Sequence, residues 1–231
     1  PNWEDRDRLI LSKGHAGIAY APVLVDFGWN DPEQLKTFNH TNSKMGIHLD
    51  SNKVVGVDAS TGSLGHGIPI AAGTAIAARV LGKDYYTYVV TGDGELDEGS
   101  NWEGLMTIRH YNLTNCITIV DRNHCMIDGN TEDVMKLEPL ADKFVAFGFH
   151  TIVCEGNNIV SLCKAIDEAH KTKDKPTVIV ADTIKGVGIK LTSGNYKWHY
   201  GAIDEEMAKV AAKDLDEYSA ERIARCGKEF E

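Results

Sequence analysis

Cysteine is scarce in this sequence, and the few cysteines show no pairing pattern. There are five among 231 residues, and no two of them form a C-x-x-C arrangement. Disulfide frameworks and structural zinc sites use closely spaced cysteine sets, so neither is expected. This pattern is typical of a reducing compartment, and we expect a cytoplasmic location. The cysteines are Cys116, Cys125, Cys154, Cys163 and Cys226.

Long apolar runs and an excess of basic residues are also missing. No stretch reaches the roughly 18 apolar residues that a membrane-spanning helix needs. The charged residues 4–8 do not resemble a secretion signal. Lys and Arg number 24 against 34 Asp and Glu, which gives a net charge of −10. A protein of this charge repels polyanions, so we expect no membrane and no nucleic acid among its partners.

Internal repeats and low-complexity segments are absent, and the composition is that of one globular domain. Apolar residues make up 42% of the chain and charged residues 25%, which is enough apolar material for one large core. We therefore expect a single domain over residues 1–231. Because the sequence opens at Pro1 without an initiator Met, we expect this domain to be incomplete at its N-terminus. The missing part would be about one βα or αα unit of roughly 40–60 residues.

Short runs rich in β-branched residues alternate with longer stretches of helical periodicity. Each run is followed by a segment long enough for a helix. This alternation predicts an α/β fold, a doubly wound parallel sheet with helices on both faces. The predicted strands are 86–91, 117–121, 150–154 and 178–182, and the predicted helices are 68–80, 98–111 and 159–169.

The remaining segments are predicted as loops and a terminal helix. Residues 58–67 and 183–194 are rich in glycine, and a turn sequence closes the second segment. Residues 204–231 predict a polar amphipathic C-terminal helix and tail with a solvated face. In doubly wound sheets, ligands bind beyond the carboxyl ends of the strands, so a site is expected just after Val90, Val120 and Ala181.

Two adjacent predicted strands are followed by residues suited to a metal and a diphosphate. The first runs into Gly92-Asp93-Gly94, where the glycines let amides approach a phosphate while the carboxylate faces a cation. Alone this signal is weak, because the same residues form common turns. The second strand ends near Asn123, which places an amide oxygen beside Asp93. Because Mg²⁺ prefers oxygen ligands and retains phosphate oxygens, we predict that Asp93, Asn123 and a backbone carbonyl near Cys125 hold it.

The combination of Gly-Asp-Gly with a following Asn resembles the signature of thiamine-diphosphate enzymes. Four further motifs narrow the resemblance to the transketolase family, in the family's order and spacing from about residue 7 to residue 203. The resemblance implies the diphosphate-binding domain of the N-terminal subunit of a split, two-gene transketolase. The four motifs are Leu11-Ser12-Lys13-Gly14-His15, the segment 60–67 (Ser-Thr-Gly-Ser-Leu-Gly-His-Gly), Met126-Ile127-Asp128-Gly129, and Lys185-Gly186-Val187-Gly188 leading to Trp198-His199.

The resemblance implies two cofactors, thiamine diphosphate and Mg²⁺. Asp93, Asn123 and the carbonyl of Cys125 correspond to metal ligands of the family. Glu98 corresponds to a loop residue that faces a partner subunit. The cofactor-binding residues implied by the resemblance are Gly62, Ser63, Leu64, Gly92, Asp93, Gly94, Glu95, Glu98, Asn123, Ile127 and His199.

Three histidines match family positions that contact the donor sugar and the diphosphate. His15, His48 and His199 are thereby implied as catalytic groups, since an imidazole exchanges protons near neutral pH. His48 lacks the Pro-Gly that usually precedes it, and a tyrosine separates His199 from the following glycine. His15 could instead cap a helix. His66 stands where single-chain relatives carry Gln, and its role is open between catalysis and hydrogen bonding at a helix N-terminus.

The resemblance further implies an activity and a partner. The reaction would transfer a two-carbon ketol unit from a ketose phosphate to an aldose phosphate, as in pentose phosphate metabolism. The family's activating Glu and its sugar-phosphate ligands lie on a pyrimidine-binding domain, which the residues after Gly201 are too few to form. We therefore expect a C-terminal transketolase subunit that carries this domain, a heterotetramer, and no activity without the partner.

Other functions remain open on the sequence alone. A different thiamine-diphosphate enzyme, such as a deoxyxylulose-phosphate synthase or the α chain of a 2-oxoacid dehydrogenase, would share the metal motif. A cofactor-binding module without activity belongs to a different class. The segments 11–15 and 60–67 favour a transketolase over both, but the sequence does not identify the ketose donor or the aldose acceptor.

Overall fold

The structure is a computed structural model that describes residues 1–229, with side chains for residues 1–224. Its centre is a sheet of five strands that all run in the same direction, in the order β1-β2-β3-β7-β6. A short hairpin follows β3, and each of its strands, β4 and β5, has two residues. The strands are β1 (Arg8–Leu11), β2 (Thr87–Gly92), β3 (Cys116–Arg122), β4 (Cys125–Met126), β5 (Gly129–Asn130), β6 (His150–Glu155) and β7 (Thr177–Asp182).

Helices connect successive strands of the sheet. Short 3-10 turns over Gly14–Ala16, Pro32–Thr37, Gly94–Asp97 and Tyr196–His199 join some of the elements. None of the helices in the described part of the chain is both long and apolar enough to cross a membrane. The helices are α1 (Gly17–Asp26), α2 (Gly67–Val80), α3 (Gly99–His110), α4 (Thr131–Val134), α5 (Leu140–Ala146), α6 (Ile159–Lys171) and α7 (Glu205–Glu229).

Both faces of the sheet are buried, because successive residues of a strand point to opposite sides. Val178 and Val180 of β7 join the larger core beneath α2, α3 and α5. Ile179, between them, packs on the other side against Ala165 and Ala169 of α6. Parallel strands that are covered on both faces have continuous apolar sequences. For this reason β7 could be recognised from its sequence. The predicted doubly wound fold with helices on both faces is therefore confirmed.

The edge strand β1 and the helix α5 were not predicted from the sequence. β1 has only four residues, and charged residues precede it, so its apolar run is too short to stand out. A separate small core, which includes Ala21 and Leu24 of α1, covers the largely irregular segment 31–57. This second core holds the chain between β1 and α2 against the main body.

The carboxyl ends of four neighbouring strands lie level at one edge of the sheet. Leu11 of β1 pairs with Val90 of β2, and Gly92 of β2 pairs with Asp121 of β3. Arg122 of β3 in turn pairs with Asp182 at the end of β7. The loops that follow β1, β2, β3 and β7 therefore meet above this edge, where the sequence places the candidate site.

The predicted C-terminal helix is present as α7, although its surroundings differ from a purely solvated helix. Most described side chains of α7 are exposed, whereas Asp214 is only 7% exposed and contacts the loop after β7. Phe230 and Glu231, at the end of the predicted tail, lie outside the described residues.

Candidate cofactor site

A cavity of about 280 Å³ lies at the carboxyl edge of the sheet. Its walls come from the segments that follow β1, β2, β3 and β7, together with one residue of the loop before α2. Ligands of doubly wound sheets bind at this edge, so the position fits a binding site. The lining residues are Lys13, His15, Leu64, Gly92, Asp93, Gly94, Glu95, Asn123, Cys125, Met126, Ile127, Lys185 and His199.

Asp93 is a buried carboxylate fixed by three donors. Its Oδ1 accepts a hydrogen bond from the amide of Gly94 at 2.8 Å, and its Oδ2 accepts from the amide of His124 at 2.6 Å and from Arg122 at 3.0 Å. Burial raises the pKa of Asp93, and Arg122 with the two amides opposes that shift. Oδ1 accepts only one hydrogen bond and keeps further lone-pair capacity, so the fixed carboxylate can still bind a cation.

Asn123 lies beside Asp93 at the end of β3. Its Oδ1 accepts from the amide of Cys125 at 3.1 Å, and its Nδ2 donates to Asp121 at 3.1 Å. This orientation directs the amide oxygen toward the segment that carries the predicted carbonyl ligand. Among the described residues, no group of three or more His, Cys, Asp or Glu side chains could hold a metal. The predicted ligand set contains one carboxylate, one amide oxygen and one main-chain carbonyl, which is a set of a different kind and suits Mg²⁺.

Asp121 connects three of the strand ends. Its carboxylate accepts from Lys13 after β1 at 2.5 Å, from Asn123, and from the hydroxyl of Thr183 after β7. Burial by itself would raise the pKa of Asp121, but Lys13, Thr183 and Asn123 together lower it below the ordinary value. Asp121 is therefore ionised at neutral pH and holds these loops together.

Glu95 is buried in the same way, and its carboxylate accepts four hydrogen bonds. Oε1 accepts from the hydroxyl of Ser12 and from the amide of Gly65 at 3.0 Å. Oε2 accepts from the hydroxyl of Thr91 at 2.8 Å and from the amide of Gly92 at 3.1 Å. These donors belong to the loop after β1, to the end of β2 and to the loop before α2, so the carboxylate holds three segments around the cavity together.

Two lysines that were not predicted as site residues line the cavity. Lys13 follows β1 and Lys185 follows β7, and both face the space beside Asp93. Burial and the neighbouring Lys13 lower the pKa of Lys185. Both lysines lie inside motifs that carry the family resemblance, and for Lys185 its position shortly after the predicted strand 178–182 was a signal that could have identified it. Two cations in the wall of the cavity favour an anionic ligand.

Two of the three predicted histidines lie side by side in the wall of the cavity. The ring centroids of His15 and His199 are 4.9 Å apart, and Nδ1 of His199 is 3.4 Å from Nζ of Lys185. Burial, with the nearby Lys13 and other positive groups, lowers the pKa of His15 to about 4. Burial and the two lysines also lower the pKa of His199. No side-chain cap bond is present at the start of the helices beside His15, so the capping alternative has no support.

The third histidine, His48, is exposed and lies beside the cavity rather than in its wall. Its ring packs against Gly62, where an added Cβ would stand 2.8 Å from the ring. Gly62 has φ +139°, a conformation that favours glycine. Neither Gly62 nor the exposed Ser63 lines the cavity, whereas the neighbouring Leu64 does.

Several predicted residues form the open side of the site. Leu64 is 36% exposed and Ile127 is 51% exposed, and both line the cavity. Glu98 is exposed at the start of α3, where a partner could contact it. His66 occupies the position before α2 but makes no capping hydrogen bond. Apolar side chains left exposed at the mouth of a polar cavity are typical of a surface that a partner covers.

A roomier groove of about 500 Å³ lies elsewhere, between α3 and α5. Its walls are mostly apolar, with Trp102, Met135 and Phe147 among them. It lacks the buried carboxylates, histidines and strand-end loops that converge at the smaller cavity. The smaller cavity is therefore the better candidate for chemistry.

The parallel sheet and the charged cavity at its carboxyl edge define an α/β domain built to bind an anionic cofactor. Residues 1–220 match the family described as the thiamine diphosphate binding domain of transketolase. The chain belongs to this family, and the membership expected from its motifs is confirmed.

Curated relatives extend this result. An apulose-4-phosphate transketolase subunit from Actinobacillus succinogenes is 40% identical, over 91% of this chain and 76% of the relative. The 6-deoxy-6-sulfo-D-fructose transketolase subunit of a Clostridium species is 38% identical, over 95% of this chain and 80% of the relative. The relatives are therefore transketolase subunits of similar but greater length.

Solved structures agree on the fold. The transketolase of Campylobacter jejuni superposes with a TM-score of 0.87 at 31% identity, covering 92% of this chain. That of Leishmania mexicana gives 0.82 at 33% identity, covering 96% of this chain. The chain spans only 34% and 38% of these two proteins, or about a third of their length.

Proposed function

We propose that this chain binds thiamine diphosphate with Mg²⁺ and serves as the cofactor-binding subunit of a split transketolase. The observation that carries this proposal is the convergence, at one cavity, of a fixed carboxylate and an amide oxygen with two lysines and two histidines. These groups come from four separate strand ends. The chemistry of this set fits a diphosphate neutralised by a divalent cation.

In this proposal the diphosphate lies against the two lysines and the loop after β2. Lys13 and Lys185 neutralise part of its charge, and Gly92 and Gly94 present no side chain that would keep it from the main chain. Mg²⁺ is held by Asp93 and Asn123 together with the carbonyl of Cys125. Glu95 contributes by fixing the loops rather than by direct contact, because its carboxylate already accepts four hydrogen bonds.

The histidines form hydrogen bonds with the hydroxyl groups of the sugar and exchange protons with them. When bound, thiamine diphosphate supplies the carbon that accepts and then releases a two-carbon ketol unit. With a pKa near 4, His15 is neutral at pH 7 and can both donate and accept a hydrogen bond. Burial and the two lysines lower the pKa of His199 below its ordinary value, which favours its neutral form, and His48 lies beside the cavity. A neutral imidazole can take a proton from a hydroxyl group of the donor sugar and return it. General acid–base catalysis of this kind accelerates a reaction roughly 10²–10⁴-fold.

The second half of the site is proposed to come from another chain. The relatives in Actinobacillus and Clostridium are described as subunits, and this chain spans about a third of the single-chain transketolases. A C-terminal subunit with the pyrimidine-binding domain and its activating Glu would cover the exposed Leu64 and Ile127. Two copies of each chain would form a heterotetramer. Because the names of the relatives refer to a ketose phosphate and a sulfonated ketose, the substrate proposed here is a ketose with an anionic terminal group.

Calorimetry tests the cofactor part of this proposal. Titration of thiamine diphosphate should show binding that requires Mg²⁺, and Asp93→Ala or Asn123→Ala should abolish it by removing an oxygen ligand. Asp142→Ala, an exposed residue of α5, is the matched control and should bind normally. Equal affinity in all variants would contradict the site.

A coupled assay tests the reaction. The chain, cofactor, Mg²⁺ and ketose and aldose phosphates should give ketol transfer only when the candidate partner subunit is added. Pyruvate as the alternative donor distinguishes a deoxyxylulose-phosphate synthase. Turnover by this chain alone would refute the split-enzyme proposal, and cofactor binding without turnover in the assembled complex would favour a non-catalytic module.

A further inference from the structure

The C-terminal helix α7 packs on the loop that carries Lys185 and His199, here called the β7 loop (residues 183–199). Gly188 of this loop has φ +96°, and an added Cβ would stand 3.1 Å from a carbon of Leu215 and 3.1 Å from a carbon of Tyr218. The loop backbone therefore packs closely against the Leu215 and Tyr218 side chains of the helix.

Asp214 of α7 binds the same loop through its backbone. Its Oδ2 accepts from the amide of Lys190 at 2.9 Å, and its Oδ1 is 3.1 Å from the ammonium group of Lys190. Asp214 is only 7% exposed, whereas Glu217 is exposed and meets the same ammonium group at 2.7 Å. A carboxylate bound to a backbone amide fixes the course of a chain, whereas an exposed ion pair contributes little.

Hydrogen bonds within the β7 loop connect its parts. A contact that restrains one residue of the loop therefore also restrains the residues bonded to it. The amide of Gly194 donates to the carbonyl of Lys185 at 2.8 Å, and the hydroxyl of Thr192 donates to the carbonyl of Gly186 at 2.8 Å. Lys190 lies between these closures. Its attachment to α7 therefore restrains Lys185, the residue whose ammonium group lines the cavity.

A second attachment uses Asn157, in the segment after β6. Its backbone carbonyl accepts from Arg222 of α7, and its side-chain oxygen accepts from the amide of Ile184 at 2.7 Å. Asn157 thus ties the beginning of the β7 loop and the later part of α7 to the same point.

We propose that Asp214 is a positioning residue that holds the β7 loop, and with it Lys185 and His199, in the geometry required for cofactor binding. This inference rests on the function proposed above. It gives α7 a role in the site, although none of the α7 residues up to 224, whose side chains the structure describes, lines the cavity. Asp214 acts through the loop and touches neither cofactor nor substrate.

The test compares Asp214→Ala with Asp214→Asn, Lys190→Ala and the control Glu217→Gln. Hydrogen exchange of residues 183–199 is measured without cofactor, and thiamine diphosphate affinity is measured with Mg²⁺. Asp214→Ala should accelerate exchange in the loop and weaken affinity roughly tenfold, the order of one hydrogen bond to a charged group. Asp214→Asn keeps a carbonyl oxygen for the Lys190 amide. This variant should therefore show loop exchange and cofactor affinity close to those of the wild type. Lys190→Ala keeps the amide itself and, like Glu217→Gln, should change little.

The variants are expected to fold, because none of the α7 residues with described side chains, 205–224, belongs to the hydrophobic core clusters. Melting temperatures close to that of the wild type would verify this. Unchanged loop exchange in Asp214→Ala, or an Asp214→Asn variant as impaired as the alanine variant, would overturn the inference. A wild-type chain that does not bind thiamine diphosphate would instead refute the proposed function, while the exchange comparison would still test the attachment of the loop.

Discussion

Replacing Glu95 with Gln tests how strongly the walls of the cavity depend on one buried carboxylate. All four of its partners are donors: two backbone amides, of Gly65 and Gly92, and two hydroxyls, of Ser12 and Thr91. A carboxylate accepts on both oxygens, but the amide of Gln presents one oxygen and one NH₂ group. In either orientation the NH₂ group faces one backbone amide and one hydroxyl.

The structure sets the size of the expected effect. The hydroxyl can rotate to accept from the new NH₂ group, but the backbone amide is left without an acceptor. An unmade hydrogen bond at a buried group costs about 1–3 kcal/mol, and bonds to a charged acceptor are stronger than those to the neutral amide. We therefore expect Glu95→Gln to lower the free energy of unfolding by about 3 kcal/mol. For a chain of this size that corresponds to a fall in Tm of roughly 6–12 °C.

Differential scanning calorimetry and cofactor titration provide the measurements. The control is Glu103→Gln, the same change at an exposed position of α3, which should stay within about 0.5 kcal/mol of the wild type. Affinity for thiamine diphosphate should fall in Glu95→Gln, because three segments around the cavity lose their common anchor. A Tm within 2 °C of the control (roughly 1 kcal/mol or less) would refute the reasoning that this carboxylate organises the cavity.

Three further predictions follow from individual contacts. The pKa of His15 is about 4 in the folded chain and about 6.5 in the unfolded chain. Between pH 4 and pH 6.5 the unfolded chain therefore binds more protons than the folded chain. The stability contributed by His15 is thus present above pH 6.5 and lost as pH falls toward 4; an NMR titration midpoint near 6.5 would disprove this. Gly62→Ala should destabilise the chain, because its Cβ would meet the His48 ring at 2.8 Å with φ +139°, whereas Gly73→Ala, in open space within α2, should be neutral or stabilising by up to about 1 kcal/mol in chemical denaturation. Arg122→Met leaves a buried carboxylate unpaired and should cost about 3–5 kcal/mol by the same measurement, and a loss below 1 kcal/mol would contradict the buried ion pair.

Most strands and helices, and the proximity of Asp93 to Asn123, were predictable because their signals are local. β3 and β7 read as short apolar runs, and a buried parallel strand needs no information beyond its own residues to give that pattern. Asp93 and Asn123 could be paired because neighbouring parallel strands end at the same edge of a sheet. β1 lacked such a signal, since four residues beside a charged segment do not establish a period.

The sequence by itself determined the fold class, the family and most of the residues around the cavity, because each depends on a short motif or a period. Only the tertiary structure decided which of these groups meet. Lys13 and Lys185 lie far apart in sequence, and the strand order β1-β2-β3-β7 brings them to one cavity. Asp214 is a polar residue on a polar helix, and nothing local distinguishes it from its neighbours until the helix packs against the β7 loop. Burial, hydrogen-bond partners and pKa shifts arise from that packing, which is a property of the folded chain rather than of any segment within it.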